Sequence, residues 1–114
     1  MRKTRLTLLS TSILTGYGTY TYEPLSLAEA RRLIHQFQQA GKPIQSAIGH
    51  EATADLLTDL FELPVAVNRL EFEQTTADLG LIFKLKQRPP EGKVLNREEI
   101  EAIGYEFGLL RRLS

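Results

Sequence analysis

Residues 26–62 read SLAEARRLIHQFQQAGKPIQSAIGHEATADLLTDLFE, and the order of elements in this stretch decides the fold class. Ser26 with Glu29 three positions on forms a capping box, in which side chain and backbone satisfy each other's free donors. Gly41 supplies a left-handed stop, so residues 26–40 are predicted to be a helix. Leu27, Ala30, Leu33, Ile34 and Phe37 fall on one helical face, and Arg31, Arg32, Gln36 and Gln39 on the wet one. Residues 44–48 are a short apolar run, a strand or the approach to the next helix. Gly49-His50 is a junction, and residues 51–62 form a second helix with Ala54, Leu57, Leu60 and Phe61 inward and Pro64 beyond its end.

Outward from this stretch the period changes from helical to alternating. Residues 5–9 are a β-prone apolar strand that ends in the polar turn Ser10-Thr11-Ser12. After Gly16-Tyr17-Gly18, residues 19–22 alternate Thr and Tyr, and Pro24 stops that strand. On the other side, residues 65–73 alternate well enough for a strand, and residues 80–87 follow a Thr75-Thr76-Ala77-Asp78 turn. The two are expected to pair as a loose hairpin. A polar loop, Arg88-Pro89-Pro90-Glu91-Gly92-Lys93, precedes a second capping box, Asn96 with Glu99, which opens a helix to Ile103. Gly104 ends it and residues 105–110 form the last strand. The order β-β-α-β-α-β-β-α-β implies an α/β fold with a mixed sheet of about five strands flanked by helices, because hairpins pair antiparallel while crossovers favour parallel pairing. No repeat or linker divides the chain, so residues 1–114 are read as one domain.

A chain of 114 residues builds one core and has little volume left for a deep private pocket. A large ligand is therefore expected in a shallow groove or between subunits. Fourteen Lys and Arg balance fourteen Asp and Glu, which argues against long nucleic acid, where counterion release rewards a cationic surplus. A short, compact polyanion needs only a few local donors. With no cysteine there is no disulfide, thiolate zinc site or thiol nucleophile. The apolar stretch behind Arg2, Lys3 and Arg5 is broken by Thr7, Ser10, Thr11 and Ser12, too short for a signal peptide. No segment reaches the roughly 20 apolar residues of a membrane span. The expectation is a cytoplasmic protein without membrane contact.

Two places carry candidate chemistry. His50 sits where a helix begins, beside the free amides of Glu51, Ala52 and Thr53, which suit a phosphate oxygen. A ring there is placed to pass a proton to an oxygen that those amides hold. The loop 88–93 sets Arg88, Glu91 and Lys93 in a proline-stiffened turn: Arg88 suits bidentate contact with phosphate, and Glu91 can orient a hydroxyl or a histidine. His35 lies mid-helix with no acidic partner at ligand spacing, and the two histidines form no metal motif, so no metal and no cofactor are expected. Neither a phosphate-binding G-x-x-x-x-G-K-[ST] loop nor a G-x-G-x-x-G fingerprint occurs. Tyr17, Tyr20 and Tyr22 are able to stack on bases, though such residues more often pack a sheet.

Four segments in order, LLSTSILT (8–15), SAIGHEAT (46–53), Asn68-Arg69 and RPPEGKVL (88–95), closely resemble the small ring nucleases of archaeal viruses, phages and bacterial chromosomes. Viral members of that family act as type III anti-CRISPR proteins. The resemblance runs from about Leu6 to Leu110, and the SAIGHEAT and RPPEGK segments together are its specific part. It implies a homodimer that binds cyclic tetra-adenylate, a CRISPR second messenger, across its two-fold axis. It also implies catalytic roles for His50, Arg88 and Glu91, with ligand contacts from Ser10, Thr11, Ser12, Ile48, Gly49, Asn68, Arg69, Gly92 and Lys93. Relatives commonly carry Asn where this chain has Ser10; serine keeps a donor and an acceptor but reaches less far.

The implied reaction is metal-independent: a ribose 2′-hydroxyl attacks the neighbouring phosphorus, giving a 2′,3′-cyclic phosphate and a free 5′-hydroxyl. Two other readings are open to this sequence. One is a module that binds or senses the cyclic oligoadenylate without cutting it. The other is a small DNA-binding regulator, against which the neutral charge and the missing basic recognition helix both count.

Overall fold

A computed structural model describes residues 4–88 and 94–114. In chain order the elements are β1 (Arg5–Leu9), β2 (Tyr20–Leu25), α1 (Leu27–Gln39), β3 (Ile44–Ser46), α2 (Glu51–Phe61), β4 (Asp78–Leu85), α3 (Arg97–Ile103) and β5 (Tyr105–Arg112). Five strands form one mixed sheet in the order β2-β5-β4-β1-β3. β3, β1 and β4 run parallel, while β5 is antiparallel to both β4 and β2.

Both expected capping boxes are present, Ser26 with Glu29 and Asn96 with Glu99. They fix where α1 and α3 begin. The three helices lie on one face of the sheet, where Ala30, Ile34 and Phe37 of α1, Ala54, Leu57 and Phe61 of α2 and Ile100 of α3 bury against Leu6, Leu8, Leu81, Phe83 and Phe107. The opposite face holds a smaller core of Leu9, Ile82 and Leu110, with Tyr20, Ala47 and Phe72 against it. No described helix covers that face. Phe72 packs on that smaller core. Gln74 Nε2 donates to the Leu110 carbonyl at 2.9 Å, and the Gln74 backbone N–H donates to Thr15 Oγ1 at 2.7 Å, joining the coil after β1 to the coil before β4.

The expected hairpin between residues 65–73 and 80–87 does not form. Residues 65–73 stay outside the sheet except for a single parallel bridge between Val67 and Ile48. The reason is that β4 has no free edge: β1 pairs along one side from Asp78 to Ile82, and β5 along the other from Leu79 to Leu85. Val67 and Leu70, whose alternation suggested a strand, remain 45% and 42% exposed. A second difference concerns Pro24, which lies inside β2 rather than ending it. β2 is an edge strand, where the missing proline N–H leaves no ladder bond unmade.

Candidate functional site

The three parallel strands deliver their carboxyl ends to one end of the sheet, the place where open α/β sheets bind ligands. Ser10 and Thr11 follow β1, Gly49-His50 follows β3, and Lys86, Gln87 and Arg88 follow β4. A cavity of about 650 Å³ opens there, lined by Ser10, Thr11, His50, Lys84, Lys86 and Arg88, among others. Its floor is apolar, from Phe83, Leu85 and Ile100, and Thr53 in the first turn of α2 adds a hydroxyl. Among the described lining residues there are three cations and a histidine, and no carboxylate. The described lining is therefore positively charged, while the chain as a whole has zero net charge.

His50 is the N-cap of α2 with extended backbone (φ −126°, ψ 133°), and its side chain makes no capping hydrogen bond. Its carbonyl accepts from the Ala54 amide at 3.0 Å, which starts the helix. The ring is exposed and borders the cavity, beside the unbonded amides of the first helical turn.

The junction that carries His50 is held from outside by the strandless segment. Ser46 Oγ donates to the Ala66 carbonyl at 2.6 Å, and the Asn68 amide N–H donates to the Ile48 carbonyl at 2.8 Å. Asn68 Nδ2 donates to the Ser46 carbonyl at 2.8 Å, and Arg69 Nε to the Gly49 carbonyl at 3.2 Å. Four hydrogen bonds therefore fasten residues 46–49 to residues 66–69, and they set where His50 leaves the sheet.

Of the residues expected at the site, the structure brings Ser10, Thr11, His50 and Arg88 to the same cavity. Asn68, Arg69 and Gly49 stand behind it in the clamp just described. Ile48 is fully buried, so its side chain belongs to the core. Ser12 is exposed in the coil after β1, away from the described lining. Glu91, Gly92 and Lys93 lie outside the described residues. The structure adds Thr53, Lys84, Lys86 and Gln87, which sequence reasoning did not single out. Their signal was present: Lys84, Lys86 and Arg88 recur at every second position as β4 runs out, the spacing of one face.

The tyrosines are elsewhere. The Tyr22 ring lies over Gly108, and Tyr20 donates its hydroxyl to the Gly16 carbonyl at 3.0 Å. A smaller hollow of about 220 Å³ surrounds His35 and Arg31, where Arg31 Nε donates to the Leu60 carbonyl at 2.7 Å. Among the described residues no group of three or more His, Asp or Glu is placed to hold a metal ion, and no helix is long and apolar enough to cross a membrane.

Comparison with known proteins finds relatives of this chain. The family model described as STIV B116-like matches residues 6–107. Uncharacterized protein 26 of Sulfolobus islandicus filamentous virus is 38% identical over 86 residues, 75% of this chain and 69% of that protein. Uncharacterized protein YddF of Bacillus subtilis is 30% identical over 106 residues, covering 93% of this chain and 95% of its own. Uncharacterized protein ORF117 of Acidianus two-tailed virus is 35% identical over 96 residues, 83% of this chain and 80% of that protein. The solved structure of B116 from Sulfolobus turreted icosahedral virus superimposes with a TM-score of 0.72 at 24% identity, covering 95% of this chain and 99% of that one, which makes the folds alike.

Proposed function

Because the chain belongs to the STIV B116-like family of small proteins, with viral and bacterial relatives, we propose that it is a metal-independent ring nuclease that cleaves cyclic tetra-adenylate. The observation that carries this reading is the cavity at the ends of β1, β3 and β4, where His50, Arg88, Ser10 and Thr11 meet from distant parts of the sequence. That meeting supports a site for a phosphodiester: cations for its charge, helix amides for an oxygen, and a histidine at its edge.

The chemistry follows from these groups. A ribose 2′-hydroxyl attacks the adjacent phosphorus in line with the 5′-oxygen, forming the new P–O2′ bond as the P–O5′ bond breaks. The 2′ proton is lost to a base or to water. His50 gives a proton to the departing 5′-oxygen, so a 5′-hydroxyl and a 2′,3′-cyclic phosphate result. Arg88 faces the phosphoryl oxygens as their charge grows. Glu91 positions or deprotonates the attacking hydroxyl, or orients His50. Water stays out of the stoichiometry of this step.

A ring of four nucleotides outgrows a cavity of about 650 Å³. Two copies of the chain related by a two-fold axis would each supply half of the contacts, matching the symmetry of the ligand. Destruction of the messenger, in the cytoplasm where it acts, either disarms or resets type III CRISPR signalling. The test is single-turnover incubation with radiolabelled cyclic tetra-adenylate in excess EDTA. Linear products ending in 2′,3′-cyclic phosphate support the reading. An intact ring that stays bound replaces it with a sequestering module.

A further inference from the structure

The two lysines that β4 sends to the cavity differ in what stands across the sheet from them. Lys84 is registered opposite Glu106 on β5. Directly opposed positions of an antiparallel pair hold their Cβ atoms about 5 Å apart, yet no ion pair joins Lys84 to Glu106. One step further along, the Lys86 amide donates to the Gly104 carbonyl at 3.0 Å, so Lys86 faces a residue with no side chain. Gly104 is also the C-cap of α3, at φ 85° and ψ 160°.

Gly104 matters to Lys86 in a second way. A Cβ built on Gly104 would stand 3.2 Å from Lys86 Cδ and 3.8 Å from its Cγ. The lysine stem thus lies across bare backbone, in space that any other residue would fill, and the positive φ disfavours other residues independently. A stem held this way has fewer rotamers to lose when its ammonium meets an anion. No ion pair joins Lys86 to a carboxylate among the described residues.

We infer that Lys86, its stem laid across Gly104, is a phosphate-binding cation of the cavity. The ligand class is a phosphodiester or condensed-phosphate anion, and the inference rests on the reading of the cavity as an anion site. An ammonium on this stem is a compact point charge with three donors, suited to bridging phosphate oxygens. It also makes binding depend on salt, because added ions screen the attraction between the ammonium and the phosphates.

The experiment is equilibrium binding of fluorescently labelled cyclic tetra-adenylate across a salt series, for wild type, Lys86→Gln, Lys86→Arg and, as a control outside the cavity, Lys42→Gln, whose ammonium stands over the Phe37 ring. Lys86→Gln is expected to bind about ten-fold more weakly and with a smaller salt dependence. Lys86→Arg should restore both, and Lys42→Gln should stay within about two-fold of wild type. Equal losses from Lys86→Gln and Lys42→Gln would show a general effect of charge and overturn the assignment, as would wild-type binding by Lys86→Gln. A second arm follows backbone amide shifts of the wild type on addition of inorganic pyrophosphate. If the ring does not bind but pyrophosphate shifts Lys86 and Gly104, the choice of ligand fails and the Lys86 assignment stands. If neither probe shifts Lys86, the assignment falls.

Discussion

Arg5 Nε lies 2.8 Å from Asp78 Oδ1, joining the first residue of β1 to the first residue of β4 at the end of the sheet remote from the cavity. The carboxylate is 2% exposed. Its second oxygen accepts from the Thr75 amide at 2.8 Å and the Thr75 hydroxyl at 3.0 Å, so it also closes the turn that enters β4. Burial opposes its charge, but the Arg5 hydrogen bond, the two Thr75 bonds and the Arg5 charge outweigh burial and hold the Asp78 carboxyl below its ordinary value.

A depressed carboxyl stabilises the fold above the ordinary aspartate range and loses that contribution as pH falls through its folded value. Wild type should therefore keep its stability down to about pH 4 and lose it progressively below, where an unfolded aspartate begins to bind a proton. Asp78→Asn should cost about 1–3 kcal/mol at neutral pH and flatten the acid limb. Urea melts from pH 2 to 7 check both, and an acid limb unchanged in the variant would contradict the argument.

Much of this frame is legible in the amino-acid sequence. Ser26 with Glu29 and Asn96 with Glu99 announce helix starts because a capping box is local chemistry. The fate of residues 65–73 is not local. Val67 and Leu70 alternate as in a strand, yet pairing depends on whether β4 has a free edge, which β1 and β5 decide from far away in sequence. The same division holds at the site. His50 at a helix start is readable from its own neighbours. Lys86 is not, since what sets it apart is the bare backbone of Gly104 beneath its stem, a contact with a residue 18 positions on. Nor does the sequence reveal that Asn68 Nδ2 meets the Ser46 carbonyl, a contact between segments 22 residues apart.

That contact gives a second expectation. Asn68→Ala removes one bond of the clamp behind the Gly49-His50 junction while touching nothing in the described cavity lining. Stability should fall by about 1 kcal/mol, the usual worth of one hydrogen bond. Under the proposed reaction, cleavage should slow by about ten-fold, because small misplacements of a catalytic group are costly. Asn68→Asp, which keeps the shape but reverses the hydrogen-bonding character, should be no better than alanine. Thermal melts and single-turnover rates separate the two effects, and an Asn68→Ala rate equal to wild type would show that the clamp does not govern His50.

Arg112 supports a third expectation, on the helix-free face. Its Nη1 donates to the Gln74 carbonyl at 2.5 Å, Nη2 to the Tyr17 carbonyl at 2.6 Å and Nε to the Ser114 carbonyl at 3.1 Å. One guanidinium thus ties both covering coils and the chain end to β5. Arg112→Met keeps the bulk and loses all three bonds, which should cost about 1–3 kcal/mol. Amide exchange should accelerate at residues 14–19 and 72–76, while α1 and α2 remain protected. Uniform acceleration across the molecule would indicate that these coils are not an independent layer.

The sharpest expectation concerns His50, because its place at the start of α2 allows function to be separated from stability. Its ring makes no capping bond, so alanine there removes little from the fold and stability should change by less than about 0.5 kcal/mol. Serine should do better than the native residue. A serine hydroxyl at an N-cap with extended backbone accepts from the free amides of the first turn, worth about 1 kcal/mol relative to a side chain that does not cap. If the ring is the proton donor, both variants should lose about 10²–10⁴-fold in single-turnover cleavage. Both should still bind cyclic tetra-adenylate, since the cations of the cavity are untouched. His50→Ser would then be more stable and inactive, the mark of a helix start held by a histidine for its chemistry and not for its cap. A His50→Ser protein that gains stability and cleaves at the wild-type rate would remove His50 from the reaction and leave the cavity as a binding site alone.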